Sequence, residues 1–427
     1  METPQADGAE YLLFETYEAR EAAFSAAVAD LIPVRHQGPQ AFWNQFRRLS
    51  GAASLPRPLP AYITGNPRDG LAFGSPYQEL AAACLFIRPG RTLIEDEIRA
   101  VAERFGLTVS LNQPMRTLSG GETVRLAMAK VLLTANRRPE LVIASPFTWL
   151  SESHRPLLRQ TVAAFRAQSK RVRILAMQGE ADLGSMAACW TEAAPLSPLP
   201  FSLATQDLHI ALGLPVNVLT AEPAYAQVHD TMLDLASPCL VAGENGQGKS
   251  LLAKALSGAA AIEGRFVLQS ANASGRARLL FQDVINQALL RKLPDLAPAA
   301  TGGVGRLCFE GILRDYSRIL EHCGQPGRGL PDPDKADLLT VKAMLAAVRI
   351  TARPAALILD EPDWGLSRNA VLALVLAVMR AAHAIGVPVL IISHKPWWRP
   401  LAQSRLKVVK RPSFPARFEI HLEQEAP

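Results

Sequence analysis

Gly243–Ser250, reading GENGQGKS, decides the fold. It follows a short apolar run, Cys239–Ala242, and leads into a helical pattern, Ser250–Gly258. Strand, glycine-rich turn and helix in that order are what a phosphate-binding loop requires. Gly243, Gly246 and Gly248 let backbone N–H groups turn toward anionic oxygens, and the helix start adds its partial positive charge. Asn245 within the turn and Leu251 in the first helical turn complete the cradle. In that setting Lys249 reaches the β- and γ-phosphates of ATP and the Ser250 hydroxyl ligates Mg²⁺.

Three further features lie downstream. Leu357–Pro362, LILDEP, places two adjacent carboxylates at the end of an apolar run. Ile391–His394, IISH, places a histidine at the end of another, and Gln282 closes a third, LLFQ. Short apolar runs bounded by turn residues suit strands buried on both faces of a parallel sheet. Asp360 is expected to hold Mg²⁺ through water, and Glu361 to orient and deprotonate an attacking water. His394 is expected to contact the γ-phosphate, and Gln282 to sense Mg²⁺ as a further metal ligand. Tyr225 is raised as a stacking partner for adenine.

The composition frames this reading. At 427 residues, 49% hydrophobic and 20% charged, the chain suits two or three globular domains. No apolar run is long enough to predict a transmembrane helix, and the acidic start lacks a secretory-signal pattern, so a cytoplasmic or membrane-peripheral protein is expected. Five scattered cysteines without CxxC spacing predict neither a disulfide framework nor a zinc site. The formal charge of +6 is small for this length, and nucleic acid is not expected as a partner.

The chain also repeats itself. RLSG (Arg48–Gly51) matches ALSG (Ala255–Gly258) at an offset of 207. Gly121–Thr134 matches Leu338–Thr351 at 217, and Phe147–Ser151 matches Asp363–Ser367 at 216. A duplicated α/β domain is predicted, with copies at 1–195 and 196–427. The copies differ in chemistry. The N-terminal one carries LSGGE (Leu118–Glu122), where the C-terminal one has KADLL (Lys335–Leu339). The 207 offset sets HQGPQAFW (His36–Trp43) against GENGQGKS, so that Phe42 and Trp43 face Lys249 and Ser250. The 216 offset sets Ala144 and Ser145 against Asp360 and Glu361, with Gln178 or Gly179 replacing His394.

Together these motifs resemble the ABC ATPase superfamily, with two nucleotide-binding domains fused in one chain. The resemblance implies two tandem P-loop domains, each a mostly parallel sheet core with a small helical subdomain. It implies that Ser119, Gly120 and Gly121 of one copy close over the γ-phosphate of ATP held at Lys249 in the other. One hydrolytic site is then complete and a second is not. Both copies read Leu–Ser (Leu150–Ser151, Leu366–Ser367) where the family usually has an aspartate. The family's usual work favours a membrane permease as the driven partner. A soluble ATPase that remodels a protein or ribonucleoprotein complex is the rival, supported by the short spans between loop and signature position. A P-loop metabolite kinase is disfavoured by LSGGE and by Glu361.

Overall fold

The computed structural model describes residues 10–14, 19–20, 22–23, 61–64, 70–87, 95–108, 111–115, 118, 120–146, 150, 154–177, 196–212, 225–244, 246–282, 303–322, 337–413 and 418–425. The chain divides into two compact units, residues 1–181 and 182–427. The expected boundary at 195 falls at the end of a stretch, 178–195, outside the described residues.

In unit 1, strands β1 (Glu10–Phe14), β2 (Ala61–Ile63), β3 (Glu140–Ala144) and β4 (Arg171–Met177) form a parallel sheet in the order β1-β4-β3-β2. Leu141, Val142, Ile143 and Ala144 are all buried, as a strand covered on both faces requires. Helices α1 (Pro76–Ile87), α2 (Glu95–Arg104), α3 (Gly120–Thr134) and α4 (Arg155–Arg166) accompany it. Glu79 of α1 is fully buried and pairs with Lys130 of α3, and it accepts the Ala72 and Phe73 N–H groups at 3.0 Å each. Removing Lys130 would leave that carboxylate buried with its strongest partner gone.

Unit 2 comprises β5 (Leu199–Ala211), β6 (Tyr225–Val228), β7 (Thr231–Ser237), β8 (Cys239–Ala242), α5 (Lys249–Ser257), β9 (Ile262–Ser270), β10 (Ser274–Gly275), β11 (Arg278–Leu280), α6 (Gly303–His322), α7 (Leu338–Thr351), β12 (Leu357–Asp360), α8 (Arg368–Ala384), β13 (Val389–Ile392), β14 (Ser404–Pro412) and β15 (Phe418–Glu425). Its sheet runs β10-β9-β5-β6-β15-β14-β8-β13-β12-β11, with β7 also on β5. The segment β14-β8-β13-β12-β11 is parallel throughout; β5, β6, β7, β9 and β10 add an antiparallel layer. Leu252, Ala255 and Leu256 of α5 pack with Val241, Ile358, Ile392 and Leu406 in one core.

The helix ends follow local chemistry. Ser367 caps α8 by accepting the Ala370 N–H at 3.4 Å. Asp337 caps α7, accepting from Thr340 N at 2.9 Å. Cys84 and Cys239 are buried free thiols, and burial pushes the Cys239 thiol up to about 12. Trp398 is fully buried.

Both units contain the same four-strand ladder. In unit 2, Ile392 of β13 pairs with Asp360 of β12 and with Val241 of β8. In unit 1, Leu175 of β4 pairs with Ala144 of β3 and with Leu12 of β1. The two sheets therefore superpose in order and register: β1 on β8, β4 on β13, β3 on β12, β2 on β11.

This corrects the reading of the N-terminal loop. Counting eight residues on from Val241 reaches Lys249; eight on from Leu12 reaches Arg20. Residues 19–20 and 22–23 are helical, as is the chain from Lys249. By this count Arg20 stands, at an offset of 229, where Lys249 stands in unit 2, while Phe42, at the offset of 207, is not among the described residues. His36–Trp43 lie outside the described residues. The 207 offset rested on a four-residue match after the loop, too short to survive insertions between strand and helix. The ladder likewise sets Met177, two residues past Leu175, opposite His394, in place of Gln178 or Gly179. Ala144 and Ser145 do stand where Asp360 and Glu361 stand.

Candidate functional site

The strands β8, β12, β13 and β11 end at one edge of the parallel sheet, where an open α/β sheet presents its ligand-binding crevice. Loop 243–248 leaves β8 there. Gly243 has φ of 143° and Gly248 of 98°, both in the region that favours glycine. A Cβ on Gly243 would meet the Val408 carbonyl oxygen at 2.7 Å, and one on Gly248 would meet Ile420 Cδ1 at 2.9 Å. The loop therefore lies flat against β14 and β15. Gln247 secures it further by accepting the Lys410 N–H at 2.6 Å.

Lys249, the first residue of α5, is 6% exposed. Its Nζ donates to the carbonyls of Gly243 at 2.7 Å and Glu244 at 2.9 Å, folding the side chain back over its own loop. Burial lowers its pKa, and the charges of Glu361, Asp360 and Glu244 oppose that shift. Ser250 Oγ donates to Asp360 Oδ1 at 2.9 Å and joins the helix start to the end of β12. Gln282 follows β11 by two residues at the same edge; Leu280 of β11 pairs with Leu359, beside Asp360.

Glu361 is 7% exposed, with φ of 45°, an unfavourable conformation for a side chain of its size. Its N–H donates to Ile392 O at 2.9 Å and its carbonyl accepts from Trp364 N at 3.2 Å, so the strained backbone is held from both sides. The carboxylate accepts from His394 Nδ1 at 3.0 Å on one oxygen and from Ser393 Oγ at 3.2 Å on the other. Burial pushes its pKa up, but the His394 charge and hydrogen bond, with Lys249 and Lys395, bring it below the ordinary carboxylate value. Asp360 goes the other way. Burial, reinforced by the Glu361 charge, raises it to about 7 despite the Ser250 hydrogen bond and two lysines. Asp363 is also raised, by burial first and Glu361 second.

These residues fit a nucleotide phosphate chain with its cation. His394 Nε2 is buried and has no partner among the described residues. The glycine cradle excludes side chains from the loop's packed face. Burial and the Glu361 charge favour the protonated form of Asp360, where a divalent cation would supply the balancing positive charge. Gly120 and Gly121 begin α3 of unit 1; Ser119 and Asn245 lie outside the described residues, and Leu251 is half-buried in α5. Tyr225 heads β6 with the His209 ring edge-on at 4.8 Å.

Three features escape the sequence. Ser393, next to the expected histidine, reads as a strand residue because only the fold turns its hydroxyl onto Glu361. Asp337 lies in the segment that replaces LSGGE, and its cap becomes visible only once α7 has a start. Arg20 follows an apolar run, Tyr11–Phe14, at the spacing of a P-loop lysine, but without glycines between them there is no motif to see.

No protein-family profile matches the chain, and no curated protein sequence does. Among solved structures it is similar to a model of ribosome-bound archaeal Pelota and ABCE1, with a TM-score of 0.51 and 12% identity, over 97% of this chain and 74% of that one. It is also similar to an RNase-L inhibitor, at 0.48 and 12% over 97% and 86%. A third likeness is to CbiO1 of Clostridium perfringens, part of the ABC transporter complex CbiONQ, at 0.32 and 18% over 48% and 84%. At such identities the likeness shows the fold, which is that of ABC ATPases; the two matches below 0.5 carry no argument.

Proposed function

We propose that the chain is an ATPase with a single hydrolytic site, unit 2 holding Mg-ATP and unit 1 supplying the closing signature. The observation that carries this is the one-sided chemistry of the two ladders. Lys249, Ser250, Asp360, Glu361 and His394 gather at one edge in unit 2, while unit 1 has Ala144 and Ser145 at the carboxylate positions. In this reading Lys249 and the loop N–H groups hold the phosphates, and Ser250, Asp360 and Gln282 hold Mg²⁺. Bound Mg²⁺ would neutralise charge on the phosphates. Glu361, with its electrons drawn by His394 and Ser393, accepts the proton of the attacking water; His394 Nε2 faces the phosphate.

Ser119, Gly120 and Gly121 of unit 1 would complete the site through the N–H groups at the start of α3. The corresponding end of α7 is already occupied by its own Asp337 carboxylate, which would repel a phosphate. A Ser119→Arg chain that binds Mg-ATP and fails to hydrolyse it supports the composite site. Normal hydrolysis by that variant defeats it.

The driven partner is read in two ways. Energising a membrane permease follows from the family's commonest work. Remodelling of a soluble assembly is favoured by the fold-level likeness, across 97% of this chain, to a protein whose structure is titled as ribosome-bound. Among the described residues no helix is long and apolar enough to cross a membrane. Capture with a tagged Glu361→Gln chain trapped in ATP separates them: an integral membrane protein supports the first reading, and soluble assemblies alone support the second.

A further inference from the structure

The residue that bars nucleotide from unit 1 is visible in the ladder. Arg20 occupies the position of Lys249, and it is fully buried. Lys249 folds back onto its own loop carbonyls. Arg20 does the reverse. Its Nη1 crosses to the Oγ of Ser145, which stands at the Glu361 position and is likewise fully buried. Ser145 keeps the left-handed backbone of Glu361, with φ of 47°, and its N–H donates to Leu175 O at 2.8 Å. In unit 2 helix start and carboxylate strand are joined by Ser250 and Asp360, the two groups expected to share Mg²⁺. In unit 1 the join is a guanidinium on a hydroxyl.

A guanidinium is longer than an ammonium by a planar fork, and it stays charged in any protein site. Bonded to Ser145 Oγ just past the end of β3, it reaches the position at which unit 2 carries Glu361. We propose that Arg20, latched on Ser145, determines which of the two pockets takes nucleotide: it is a built-in cation that closes the N-terminal pocket and keeps unit 1 ordered with no ligand. This rests on reading unit 2 as the nucleotide site.

Hydrogen exchange on the full chain, with and without Mg-ATP, tests both readings in separate peptides. In wild type, peptides covering 243–250 and 357–362 gain protection from Mg-ATP, whereas peptides covering 10–23 and 140–146 are protected equally in both conditions. Lys249→Ala removes only the first response. Arg20→Met speeds exchange in 140–146 by about tenfold or more. If that chain does not fold, Ser145→Ala, which deletes only the acceptor, carries the same expectation at smaller amplitude, and Arg20→Lys is intermediate. Two results overturn the latch. One is protection of 10–23 by Mg-ATP in the Lys249→Ala chain, which would make Arg20 a phosphate ligand. The other is unchanged exchange in 140–146 when Arg20 or the Ser145 hydroxyl is lost. Silence in 243–250 would instead defeat the nucleotide reading of unit 2 and leave the latch standing on its own peptides.

Discussion

At the end of β12 the chain runs Asp360–Glu361, and at the end of β3 it runs Ala144–Ser145, on backbones that match residue for residue. Both second residues take a positive φ, 45° and 47°, and both give their N–H to the neighbouring strand, at Ile392 O and Leu175 O. The geometry that presents a buried carboxylate in one unit presents a buried hydroxyl in the other. The strained turn is thus a property of the ladder, fixed by strand order and register, and the side chain mounted on it is free to differ. The cation opposite differs too: Lys249 turns back to its own loop carbonyls, and Arg20 donates to Ser145 Oγ.

The largest effect on that contrast is expected from Glu361→Gln. Removing the general base should lower turnover about 10²–10⁴-fold while nucleotide still binds; a rate near wild type in a steady-state phosphate assay would dismiss it as the base. Lys249→Ala should weaken binding of a fluorescent ATP analogue by about 30-fold or more, the cost of losing a buried charged partner. Unchanged affinity would place the nucleotide elsewhere.

A pH titration sharpens the contrast, because unit 1 has no acid at the Asp360 position. Asp360 is raised to about 7, so it is protonated below that pH and must lose its proton to meet Mg²⁺. Mg²⁺-dependent nucleotide affinity should climb as pH rises through about 7, by about tenfold per unit on the acid side. Without Mg²⁺ the sign for stability is opposite. A carboxyl raised on folding binds its proton more tightly in the folded chain, so its contribution is lost as pH rises from the ordinary carboxylate range through about 7. Asp360→Asn should flatten both curves in titration calorimetry and thermal melts.

Restoring carboxylates to unit 1 is a smaller intervention. Ala144→Asp with Ser145→Glu should leave bound nucleotide at one per chain, since Arg20 still closes the pocket. Two per chain by equilibrium dialysis would show the missing acids to be the whole difference. The smallest change is Ser367→Ala, where loss of the α8 cap should cost about 1 kcal/mol in a denaturant melt and leave nucleotide affinity unaltered.

Much of unit 2 is legible in its residues alone. GENGQGKS, LILDEP and IISH mark three strand ends by themselves, because a phosphate loop and a buried carboxylate pair restrict residue types over a short span. Unit 1 is not legible in that way. Once glycines and acids are gone, nothing local distinguishes Leu12–Arg20 from any strand followed by a helix, and the RLSG match misdirects the alignment. The offset of 216 at Ala144 and Ser145 holds because it differs by only one residue from the helix's offset of 217.

The sequence by itself determined the α/β class, the phosphate loop and the acidic pair, since these depend on residue types within a few positions. Only the tertiary structure decided that Ser393 and His394 both grip Glu361, that Asp337 blocks the start of α7, and that Arg20 faces Ser145. Those pairings lie 32 and 33, 3, and 125 residues apart in sequence. The short one needed a helix boundary. The long ones needed strand register, which brings distant side chains to one sheet edge by hydrogen bonding between backbones, whatever the side chains are.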